Sequence, residues 1–214
     1  MAETTTLTTT NNSVFSGIQA FEDAQRIAKA LASSTLIPTQ FQGQQGFANC
    51  LVALEIANRM NISPFLAMQH LHVIHGRPSW SSSFVIAMIN GSGRFTPLRY
   101  ELSGEGDSLA CYAVATDIAH ETELTGPTIT MVMAKKEGWS TKSGSKWQTM
   151  PEHMIRLRAA SFWGRLYASD LLLGIQSQEE VIDVQTVTVR AALDDLNEQI
   201  NQPLPVVIDD DDIL

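Results

Sequence analysis

Residues 95–116, FTPLRYELSGEGDSLACYAVAT, decide the fold class. Leu109, Cys111, Ala113 and Ala115 fall on alternate positions, the period of a strand with one face in the core. Residues 95–102 form a second strand-like segment, and Gly104-Glu105-Gly106-Asp107 supplies turn chemistry between the two. The stretch therefore predicts two antiparallel strands, residues 95–102 and 109–116, joined at a glycine turn. Residues 128–133 read as a further strand.

Helical patterns flank this unit. Residues 151–167 open with Pro151 at the first helical position and Glu152 in the first turn, with Thr149 as the expected cap. Residues 48–60 repeat Cys50, Leu51, Leu54, Ala57 and Asn58 at three- and four-residue steps, and residues 21–36 carry Phe21, Ile27, Ala28 and Leu31 likewise. Between them, residues 40–47 hold two glycines and read as a loop. Ser63 and Pro64 open a short helix ending at His70. Residues 72–79 read as a strand and turn at Gly76, and residues 82–90 as a buried helix closed by the glycines at 91 and 93. Strands in one antiparallel group with helices on either side predict an α+β fold, a small antiparallel sheet packed with helices.

The 214 residues suffice for one domain with a sizeable core, and 44% hydrophobic with 17% charged residues is the balance of a globular chain. No run of 18 apolar residues exists, so no membrane partner is expected. The start, Met1-Ala2-Glu3 and a Thr-rich stretch, lacks the basic and apolar regions of a secretory signal. Cys50 and Cys111 have no metal or redox spacing, so a reducing cytoplasm is the expected location.

The formal net charge of −9 misleads if taken as an average. Residues 1–176 are balanced; the excess lies in residues 177–214, where Glu179, Glu180, Asp183, Asp194, Asp195, Glu198 and Asp209 to Asp212 face Arg190 alone. The expected organisation is a disordered lead-in (1–13), one α+β domain (14–176) and an acidic tail (177–214) with a short helix at 189–200.

Within the balanced part, Lys135, Lys136, Lys142, Lys146, Arg156, Arg158 and Arg165 outnumber Glu137 and Glu152. That density is the footprint of a phosphate-binding strip. Trp139 and Trp147 sit beside lysines in a Gly/Ser-rich segment read as a flexible polar loop, a combination that holds single-stranded nucleic acid by phosphate contact and base stacking. Arg158 and Arg165, seven residues apart, share a helix face. Against these stand two alternatives: the tryptophans anchor the loop on the body, and each arginine pairs with a carboxylate such as Glu152 or Asp170.

His70 and His72 resemble a chelating pair if both lie on one strand, yet no Asp, Glu or Cys follows within ten residues. No P-loop, GxSxG or HExxH sequence occurs. Neither a catalytic residue nor a metal or cofactor is therefore expected, and the chain reads as no enzyme. The final residues 207–214, VIDDDDIL, join Asp209, Asp210, Asp211 and Asp212 to Ile213 and Leu214. This resembles the tip of bacterial single-stranded-DNA-binding proteins, suited to a basic-rimmed pocket on a partner. It also suits folding back over the basic strip as a weak competitor for DNA, or acting only as a solubilising tail.

Residues 51–175 resemble the RecT family of phage recombinases. The likeness is carried by residues 53–64 (ALEIANRMNISP), 75–78 (HGRP), 91–95 (GSGRF) and 147–160 (WQTMPEHMIRLRAA). It implies ATP-independent binding and annealing of single-stranded DNA during phage homologous recombination, on a homo-oligomeric ring or filament in the bacterial host cytoplasm. The expected partners are single-stranded DNA, the annealed duplex intermediate, and a phage exonuclease or single-stranded-DNA-binding protein. The seven cations from Lys135 to Arg165 are then expected on phosphates, Trp139 and Trp147 on bases, with Arg77 and Arg94 as further contacts. The alternatives are a coating protein with a partner-recruiting acidic tail, and a metal-dependent nuclease acting through His70 and His72.

Overall fold

The computed structural model describes residues 13–183. Residues 1–12, the expected helix at 189–200 and the tip from Asp209 to Leu214 lie outside the described residues. The fold is α+β, a small antiparallel sheet packed with helices.

Helices α1 (Ile18–Ala32), α2 (Gly43–Met60) and α3 (Pro64–His70) form one half. A hairpin, β1 (Leu71–Ile74) and β2 (Arg77–Trp80), leads to α4 (Ser82–Gly91). Positive φ at both His75 and Gly76 marks the two-residue turn whose twist suits a hairpin. The sheet follows: β3 (Arg99–Ser103), β4 (Ala110–Asp117), β5 (Thr122–Thr125) and β6 (Ile129–Thr130). β4 is central, paired with β3 on one side and with β5 and β6 on the other, all antiparallel. Helices α5 (Met131–Lys136), α6 (Lys146–Thr149) and α7 (Pro151–Tyr167) complete the named elements. α7 lies on β4 and on α4, so its sheet-facing side closes the core.

The expected hairpin stands: Ser103 faces Ala110 and Arg99 faces Val114, and Leu109, Cys111, Ala113 and Ala115 are all buried. α7 spans residues 151–167 as read from sequence. Three readings need correction. Residues 43–47 are helical rather than loop, and glycine at 46 serves close packing there, since a Cβ would collide with the Phe41 backbone. Gln40 and Gln42 are structural ties too, donating to the Leu71 and Ile37 carbonyls, both at 2.6 Å. The strand expected at 128–133 lasts two residues; the Thr130 hydroxyl accepts the Met133 N–H at 3.0 Å and starts α5. Thr149 closes α6, and Met150 stands at the α7 cap without a side-chain bond.

Both ends of the described chain are tied down. Ser13, expected in the lead-in, donates its hydroxyl to Glu55 at 3.0 Å, and the Val14 N–H joins it at 3.0 Å. At the other end, expected to leave the body at residue 176, residues 178–183 are helical and pack back on it. No helix among the described residues is long and apolar enough to cross a membrane.

Candidate nucleic-acid interface

The loop after α5 is bound more tightly than its Gly/Ser content suggests. Gln148 donates to the Ser140 carbonyl at 2.6 Å and the Lys142 carbonyl at 3.1 Å, and the Ser145 hydroxyl donates to the Trp139 carbonyl at 2.8 Å. Ser145 also caps α6, accepting the Trp147 N–H at 3.3 Å. The loop is thereby tied to α6, with Trp139 and Trp147 at 5.4 Å between ring centroids. They retain 5% and 2% exposure. In this structure both rings anchor the loop rather than stand free to stack bases.

Arg158 lies at the centre of this cluster. Its guanidinium sits 4.0 Å from the Trp139 ring centre and 5.8 Å from those of Trp147 and Phe162, with 3% of the residue exposed. Arg165, on the same face of α7, is also 5.8 Å from Phe162. Lys142 reaches in from the loop. Three expected cations and both expected aromatics therefore meet at one place, with Phe162 as a ring the sequence reading did not single out.

The place is already occupied by the chain itself. Asp183 takes the Arg158 guanidinium on one carboxylate oxygen and the Lys142 ammonium on the other, the latter at 3.4 Å. Lys142 also donates to the Ile182 carbonyl at 3.1 Å, and Glu180 pairs with Arg165 at 2.8 Å. Glu179 accepts the hydroxyl of Ser82 at the start of α4. Burial pushes the Asp183 carboxyl up from its ordinary value, while Arg158 and Lys142 pull it back. Burial likewise pushes Arg158 down, against the pull of Asp183, Glu180 and Glu179. Charges taken this far from water persist only because each answers another. Trp147 presents its ring N–H toward the same carboxylate at a geometry short of a full hydrogen bond.

These acids belong to the stretch expected as an acidic tail, and the sequence carries the signal that folds them back. Ser177-Gln178-Glu179-Glu180 has the Ser-x-x-Glu spacing of a capping box. The buried Glu180 carboxylate accepts the Ser177 N–H and hydroxyl, both at 3.0 Å, and the Glu180 N–H points back at the Ser177 hydroxyl at 3.4 Å.

The remaining cations do not join them. Lys135 pairs with Asp107 at 2.6 Å, where α5 meets the turn between β3 and β4. Arg156 pairs with Glu152 at 3.3 Å. It influences Tyr100 and Cys111 beneath the sheet side of α7 rather than the aromatic cluster. Arg94 pairs with Asp170 and lies over Phe95. Lys136, Lys146 and Arg77 are exposed and show no ion pair among the described residues. The expected phosphate-binding strip of seven cations is thus corrected to a three-cation cluster with scattered charges around it, because α7 turns Arg156 and Arg158 to different sides.

The histidine premise also changes. His70 ends α3 and His72 lies on β1, so they do not share a strand. His70 sits 3.1 Å from the Ser81 hydroxyl and stacks on Phe84. Burial holds His72 below its ordinary value, with Glu179 pulling the other way. Among the described residues no group of three or more His, Cys, Asp or Glu is arranged to hold a metal ion. Compared with known proteins, the chain matches no family model, no curated protein and no solved structure.

Proposed function

We propose that the chain binds single-stranded DNA through its phosphates and pairs complementary strands without ATP, as an oligomer in phage recombination. The observation that carries this reading is the convergence of Lys142, Arg158 and Arg165 with Trp139, Trp147 and Phe162 on one site whose present occupants are oxyanions. A phosphate oxygen accepts from the same ammonium and guanidinium donors as a carboxylate. Trp139 and Trp147 are buried and hold the Arg158 guanidinium in place, so the phosphate contacts carry the reading. The likeness of residues 51–175 to RecT recombinases supports the same reading from a separate direction.

The test is a salt-titrated binding curve on a fluorescent oligonucleotide, followed by pairing of two complementary oligonucleotides. Each lost phosphate contact on a single strand lowers the salt slope by about 0.7. The Lys142→Ala, Arg165→Ala variant is expected to lose about 1.4 of slope on that basis. An unchanged slope would remove this site from the interface. Binding without faster pairing would leave a coating protein in place of an annealing one.

A further inference from the structure

We infer that the acidic turn after Ser177 is an internal competitor that closes the Arg158 site, so that single-stranded DNA binds by displacing it. The inference rests on the nucleic-acid reading of that site and adds its regulation.

Three features support a displaceable segment. Its root is fixed: the Trp80 N–H donates to the Gln176 carbonyl at 2.9 Å, the Trp80 ring N–H donates to Leu172 at 3.2 Å, and Ser177 bridges Trp80. Beyond that root the attachments are mostly polar: Glu179 to Ser82, Glu180 to Arg165, and Asp183 to Arg158 and Lys142. Val181 is the one buried apolar side chain among residues 178–183, while Ile182 keeps 42% of its surface exposed. Such a segment can lift from Ser177 onward without opening the sheet or α4.

The acids also occupy the positions an incoming strand would need. Glu180 and Asp183 are three residues apart, so one helical face presents both to Arg165 and Arg158. Asp183 uses two cations at once, as a bridging phosphate would, and the unpartnered Trp147 N–H is left beside it. A site closed most of the time binds more weakly by the fraction of time it is open. Removing the two charges therefore raises affinity, although it removes contacts from the folded chain.

The full chain and its Glu180→Gln, Asp183→Asn variant would be titrated with a fluorescent oligothymidylate. Amide hydrogen exchange of residues 178–183 would be followed in the unmodified chain with and without that oligonucleotide. The expected results are about tenfold tighter binding by the variant and faster exchange at residues 178–183 on addition of the oligonucleotide. Unchanged or weaker binding by a variant with native circular dichroism overturns the inference, as does unchanged or slower exchange in that segment. If the variant fails to fold, exchange in the unmodified chain decides alone. If the unmodified chain binds through Lys142 and Arg165 while the segment stays protected, only the competitor falls. If neither chain binds the oligonucleotide, the competitor and the nucleic-acid reading fall together.

Discussion

Along one side of α7, Trp163 lies fully buried against the sheet, edge-on to Phe95 at 5.0 Å, and gives its ring N–H to the Leu124 carbonyl at 2.9 Å. Along the other, Arg158 is almost as buried and is answered by aromatic faces and by Asp183. The first contact is neutral and satisfied, and its Leu124 partner belongs to a strand already held by the sheet. The second balances buried charge against buried charge, and one partner sits on a segment with little apolar anchorage. Buried area stabilises the first side without reference to salt, while the second depends on an ion pair that removal of either member turns into a cost. Equal burial therefore coincides with unequal permanence.

The comparison breaks first at Trp163. Trp163→Ala is expected to cost about 3–5 kcal/mol in urea unfolding, because a large ring leaves a cavity that the sheet only partly closes. A loss below about 1 kcal/mol would show that α7 does not depend on that side. Asp183→Asn is expected to cost less, at most about 3 kcal/mol, since residues 178–183 can lift and rehydrate Arg158 instead of unfolding the body. A global loss as large as that of Trp163→Ala would make the segment an integral part of the core.

A third test uses proton release at the sheet side. Burial pushes the Cys111 thiol up to about 11 and the Tyr100 hydroxyl up to about 12. Well below the ordinary thiol value of 9.0 both groups are neutral whether folded or not, so these two add no pH dependence there. Above their ordinary values the unfolded chain releases protons that the folded chain keeps, so stability falls as pH rises toward 11 and 12. Urea midpoints measured from pH 8 upward check this, and Tyr100→Phe should make the fall shallower. The smallest effect is expected at Arg94, whose pair with Asp170 is exposed on both sides. Arg94→Ala should change stability by less than about 1 kcal/mol, a value that thermal unfolding at low and high salt can bound.

Much of the architecture was legible because it rests on short-range rules. Alternation at Leu109 to Ala115, a glycine turn before it, and proline at the start of α7 each act within a few residues. The errors have equally local causes. Residues 128–133 read as a strand although Thr130 caps a helix within them, and residues 40–47 read as a loop although Gly46 permits close approach to Phe41. β5 was missed because four residues of an edge strand with Glu123 outward carry little apolar alternation. At the candidate site the residue types were legible and their partners were not. The Ser177 capping box was the overlooked signal that residues 178–183 start a helix.

The order of charges and apolar residues by itself determined helices α1 to α4 and α7 in outline, the central hairpin and the presence of a basic, tryptophan-bearing stretch before residue 165. Only the tertiary path decided that Lys142, Arg158 and Arg165 meet while Lys135, Arg94 and Arg156 part, and that Asp183 closes the meeting point. Periodicity and capping are set by neighbours a turn away, whereas an ion pair between side chains 25 residues apart exists only where the folded backbone carries both into the same water-poor space.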